Sequence, residues 1–196
     1  MNVLAAARLI KAGFVYFDAP GTAPQVISFQ YNPEALTRSL DAIPAIPGAV
    51  AAQPTPPREV MQFKLILDAT DRLETGDPQA TELGILPQLS ALELLMHAPA
   101  SSPNSLSVLV WGSRRILPVR ITGLQITEQM FDTNLTPMRA EMAITLFVLN
   151  SVEMSSDIRA QQIWQRHLAL LRQPAHLAYQ SSMAPLGIAG LPEGSK

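Results

Sequence analysis

The chain has 196 residues, which fits one globular domain with extensions or one domain beside a small second one. A formal net charge of −2 leaves no electrostatic footprint for nucleic acid, and a cysteine count of 0 excludes disulfides, thiolate nucleophiles and cysteine-held metals. Charged residues make up only 15% of the chain against about 25% in an average soluble domain, which favours burying surface against copies or partners.

In chain order, Met1–Phe14 has no basic region ahead of its apolar stretch, and Arg8 and Lys11 interrupt that stretch, so no targeting segment is expected. No run of about 20 apolar residues is present to span a bilayer, so a soluble chain without membrane insertion is expected. Gly13–Asp18 reads as a strand, closed by an Ala19-Pro20-Gly21 turn. Gln25–Tyr31 alternates as a second strand, which Asn32-Pro33 ends because proline has no ladder N–H. Pro44–Pro57 holds five prolines and no charge, and reads as an extended loop or arm.

Val60–Asp68 reads as a strand with apolar residues on both faces, as expected of one buried on two sides or covered by a neighbouring subunit. After a polar turn over Asp71–Asp77, Asp77-Pro78 suits a helix start. Ile85, Leu89, Leu92 and Met96 then follow helical spacing, with regular helix expected from Leu86 and loop over Ala98–Asn104. Ser105–Trp111, Ile116–Phe131 and Pro137–Asn150 read as three further strands. In the middle one the alternation changes phase at Gly123, the signature of a bulge or sharp bend. Ser155 or Ser156 is expected to cap a last helix carrying Ile158, Ile163, Trp164, Leu168 and Leu171, which Pro174 stops. The Gly/Pro/Ser-rich stretch Ser181–Lys196 is expected to be mobile. This order argues for an α+β, mainly β barrel or sandwich over a doubly wound sheet.

No reactive constellation emerges. His97, His167 and His176 lack partners at metal-ligand spacing, and Asp68, Asp71 and Asp77 lack the alternation and closing glutamate of a calcium loop. Phosphate-binding and nucleophile-elbow motifs are absent, and Arg114-Arg115 reads as a solvated or interfacial hairpin tip. Catalytic, cofactor-binding and metal residues are therefore all expected to be none.

Five stretches in order resemble the contractile injection system tube protein family. They are Leu9-Ile10-Lys11-Ala12-Gly13-Phe14, the strand running through Phe29-Gln30-Tyr31-Asn32-Pro33 to Ser39, and Phe63–Thr70. Val110-Trp111-Gly112 and Phe131–Met142, with Pro137-Met138-Arg139-Ala140, complete the set. The resemblance covers roughly residues 9 to 150, and nothing after Asn150 resembles the lysin-motif tail that relatives carry. It implies a tail-tube-like barrel of two packed antiparallel sheets with a flanking helix, over residues 1–150, followed by a helical extension over 151–196. It further implies a homo-oligomer, expected as a hexameric ring assembled in the cytoplasm. That ring would join the spike to the inner tube as baseplate adaptor or tube initiator, with inner tube protein, spike protein and baseplate components as partners. Asn32, Pro33, Trp111 and Arg139 are expected to fix turns or strand ends, with Arg139 facing either the lumen or a subunit interface. The alternative reading is a monomeric β-barrel binding a small apolar ligand.

Overall fold

The computed structural model describes residues 9–42, 57–101, 104–151, 153–154, 157–179 and 184–186. Most of the proline-rich stretch 44–57, Ser155, Ser156 and most of Ser181–Lys196 lie outside the described residues.

Seven strands form one antiparallel sheet. In chain order they are β1 (Gly13–Phe17), β2 (Gln25–Ser28), β3 (Thr37–Asp41), β4 (Arg58–Asp68), β5 (Leu106–Trp111), β6 (Arg115–Phe131) and β7 (Pro137–Val148). Three helices, α1 (Thr70–Glu74), α2 (Pro78–Leu83) and α3 (Leu86–Ser101), separate β4 from β5, and α4 (Ile158–Ala178) follows β7. The spatial order is β2-β1-β5-β6-β7-β4-β3, with β2 and β3 at the two edges. The expectation of two packed sheets is corrected on this point: the architecture is α+β and mainly β, built on a single continuous sheet.

That sheet curls strongly. Phe14 on β1 and Phe63 on β4 are separated by three intervening strands, yet their ring centroids lie 6.5 Å apart. Curling lets one sheet enclose its own core, and Leu89, Leu92 and Leu95 of α3, with Ile85 just before it, pack into that core. Burying each such side chain contributes about 2 kcal/mol against the entropy of ordering the chain. The bend that makes this possible sits at Gly123, where the β6–β7 register shifts between Ile121 and Gly123 and leaves Thr122 as the extra residue. Leu117, Val119 and Ile121 enter the core before the bulge, and Leu124 and Ile126 pack on it afterwards, so the phase change is realised.

Burial along β4 alternates strictly: Met61, Phe63, Leu65 and Leu67 are buried while Gln62, Lys64 and Ile66 are exposed. Two-sided cover within the chain is therefore absent over this half of the sheet, which leaves cover by a neighbouring subunit as the other expectation. Two-sided cover holds at the other end, where a second cluster of Leu106, Val108, Phe147, Leu149 and Met154 receives Ala160, Ile163 and Trp164 of α4.

Four further expectations are corrected. Asp157 caps α4, accepting from the Arg159 and Ala160 amides. Pro174 lies inside α4, which runs on to Ala178, so His176 is a helical residue. The helix α3 continues to Ser101 in place of a loop from Ala98. Part of the polar turn over Asp71–Asp77 is the short helix α1. The helix start at Asp77-Pro78 stands: the Asp77 carboxylate accepts from the Gln79 and Ala80 amides, with proline at the first helical position.

Candidate assembly site

The five motif-like stretches converge on one junction where β1, β4 and β5 meet. Phe29, just past β2, packs edge-on to Phe14 at 5.4 Å and against Phe63 at 5.6 Å. Trp111, ending β5, meets Phe63 edge-on at 5.4 Å. Such ring pairs contribute about 0.5–1.5 kcal/mol each beyond their burial. Gly13 is required beside them, because a Cβ there would lie 2.5 Å from the Ile27 carbonyl oxygen.

Polar side chains then tie the seam that the ladder leaves open. The Asn32 amide donates to the Ile10 carbonyl at 2.8 Å and its oxygen accepts from the Ala12 N–H at 2.9 Å, pinning the approach to β1. Gln30 does the same for the end of β4, donating to the Asp68 carbonyl at 2.6 Å and accepting from the Asp68 N–H at 2.9 Å. The Lys11 ammonium donates to the Gln30 carbonyl. Arg139, opposite Asp68 in the β4–β7 register, donates to the Asp68 carboxylate at 3.2 Å. Burial raises the affinity of that carboxyl for a proton, but Thr70 and the Arg139 guanidinium outweigh it and hold Asp68 below the usual carboxylate range. Asn32, Trp111 and Arg139 thus act as structural ties. Gln30 was not singled out in the sequence, since no spacing rule marks a side chain that copies a strand's hydrogen bonds 38 residues away.

Beside this junction the uncovered sheet face forms a groove of 1130 Å³. Its walls mix Lys11, Glu34, Lys64, Asp68, Arg139 and Glu141 with apolar residues such as Leu9, Pro33, Phe63, Ile66 and Ile144. Among the described residues no group of three or more His, Asp or Glu side chains could hold a metal ion. Among the same residues no helix is long and apolar enough to cross a membrane.

At the opposite end of β4 a second polar cluster lies under α4. Glu59 is buried and accepts from Arg38 at 2.7 Å, while Arg115, part of the expected hairpin tip, lies close enough for both charges to act on it. His167 is buried against Trp164, with no hydrogen-bond partner at Nδ1 among the described residues. Burial keeps its imidazole neutral; Arg38 and Arg115 add to that effect and Glu59 opposes it. His97 and His176 are exposed and lie apart from this cluster in sequence and setting.

The sheet ends in two strands with one ladder partner each. On β2, paired only with β1, Val26 is 69% exposed, and on β3, paired only with β4, Leu40 is 55% exposed. Among the described residues no further strand pairs with either edge.

No curated protein sequence matches the chain closely. A family model described as contractile injection system tube protein matches residues 11–156, which spans all seven strands and the aromatic cluster of the junction. On that match the chain belongs to the contractile injection system tube protein family, and its role is that of a structural component of such a particle.

Proposed function

We propose that the chain forms a ring, expected as a hexamer, that joins the spike to the inner tube as baseplate adaptor or tube initiator. The observation carrying this reading is the pair of open, antiparallel edges on one curled sheet. Edge-to-edge pairing of β2 with β3 of the next copy satisfies both rows of backbone groups and covers Val26 and Leu40. The choice of adaptor or initiator over a repeating tube subunit rests on α4, which lies wholly beyond the family match. Inner tube protein, spike protein and baseplate components are the partners in this reading, with assembly in the cytoplasm. The rival reading, a monomer holding a small apolar ligand, would use the groove on the uncovered sheet face, where Phe63, Ile66 and Ile144 lie among two lysines, an arginine and carboxylates.

Lysine substitution at the edges tests the ring. Val26→Lys and Leu40→Lys are each expected to give folded chains that no longer form rings, because charge on an edge opposes strand addition. Mixing the two variants leaves one intact edge on each and is expected to give heterodimers without rings. Rings of wild-type size from both variants would contradict the edge assignment.

A further inference from the structure

Two surfaces of the chain remain without a role. The first is the β6–β7 tip, where Met130 and Leu135 are the only non-glycine residues with positive φ among the described residues, at 54° and 63°. Bulky side chains in that conformation cost about 1–2 kcal/mol each, so the turn must be held by other bonds. It is: the Asp132 carboxylate accepts from the Asn134 and Thr136 amides at 2.8 and 2.7 Å, and the Asp132 N–H donates to the Thr136 carbonyl at 3.0 Å. The result is a firmly held tip that points Met130, Phe131 and Leu135 outward, with Leu135 77% exposed. Residues 124–138 contain Glu128 and Asp132 and no lysine or arginine. The Asp132 carboxyl is held below its ordinary value by those amides and stays charged.

The second surface is the end of α4. Up to His167 the helix is seated on the sheet, but Leu171, Leu177 and Tyr179 are exposed, Leu177 at 89%. The helix Ile158–Ala178 carries Arg159, Arg166, Arg172 and two histidines with no Asp or Glu. Arg159 is engaged by Asp157 and the Phe17 ring, whereas Arg166 and Arg172 are exposed. One chain therefore presents an acidic apolar knob and a basic apolar helix end, each left uncovered.

We propose that the end of α4 docks on the β6–β7 tip of a neighbouring copy, a head-to-tail clip between subunits. The proposal rests on the assembly reading above and adds a contact whose α4 half lies outside the family-matched region. A second copy is the occupant that the charges favour, because Arg172 and Arg166 complement Glu128 and Asp132 while the leucines meet Met130, Phe131 and Leu135. Each copy then offers one donor and one acceptor surface, the condition for a heterologous contact that closes a ring or continues a stack.

The chain has no cysteine, so introduced thiols report contacts without background. Leu135→Cys and Leu177→Cys, purified separately and mixed under mild oxidant, are expected to give a disulfide-linked heterodimer. Leu177→Cys mixed with Thr81→Cys, another exposed position, is the reference. A heterodimer yield no greater than this reference overturns the clip. Arg172→Glu and Glu128→Arg should each lower the yield of the matching cysteine pair by roughly fivefold, and combining them across the interface should restore it. Capture of a cognate tube or spike protein by Leu177→Cys in place of the Leu135→Cys copy also overturns it. Rings without the cross-link leave the assembly reading intact and remove the clip; the cross-link without rings does the reverse.

Discussion

His167 makes the fold sensitive to acid in a defined direction. Its ordinary value of 6.5 is lowered in the native chain, chiefly by burial. Above that value folded and unfolded chains both carry a neutral ring, and the group contributes nothing to pH dependence. As pH falls below it the unfolded chain takes up a proton that the folded one resists, so native stability declines until the lowered value is reached. His167→Leu removes this component. Between pH 7.5 and 5.5 the wild type is expected to lose more stability than the variant, read from urea midpoints at each pH. Equal losses would place the imidazole in contact with solvent. The neighbouring ion pair gives a second test. Removing Arg38 alone leaves the Glu59 carboxylate buried with Arg115 as its remaining counter-charge. Arg38→Met is expected to cost about 3 kcal/mol, while Arg38→Met with Glu59→Met returns close to wild type by the same measurement. None of this was legible in the sequence, because Arg38, Glu59, Arg115 and His167 come together only through sheet curl and the seat of α4.

The elements most visible in the sequence were those whose pattern is a local consequence of burial. β4 to β7 show because long apolar and β-branched runs bounded by turn residues mark strands, and the helix start at Asp77-Pro78 shows because side-chain capping needs only neighbouring residues. β3 was missed because Thr37–Asp41 has almost no apolar alternation; its place comes from pairing with β4 and from the Arg38–Glu59 tie. α1 was missed because it buries no residue, so no periodicity marks it. α4 was stopped too early at Pro174, since proline costs a helix one donor and a steric clash without ending it where packing and solvent absorb both. At the joint between α2 and α3, Gly84 has φ of 54° and a Cβ there would lie 2.3 Å from the Pro137 carbonyl oxygen. That carbonyl also accepts from the Ile85 N–H at 3.1 Å, which anchors α3 to β7. Gly84→Ala is therefore expected to destabilise the chain by about 2–3 kcal/mol, seen as a lower thermal midpoint, through strain and clash together. A midpoint within the error of wild type would mean the joint yields freely.

On the scale of the whole molecule, periodicity reported which faces are apolar but not how the sheet closes. Two packed sheets and one strongly curled sheet give the same alternation along β1, β4 and β6. The distinction lies in the Phe14–Phe63 contact and in the Gln30 clamp on Asp68, which join segments far apart in the chain. The ordered motifs did point to the family, because Phe14, Phe29, Phe63 and Trp111 all serve one junction. Two open edges on that sheet are the feature that turns a fold into a building block. The mass of the purified wild-type chain, measured by light scattering and by negative-stain microscopy with and without its cognate spike and tube proteins, tests this most directly. Closed rings of six times the 21.3 kDa chain mass, alone or on addition of those partners, are the expected result. A chain that stays at 21.3 kDa in every mixture would contradict the account.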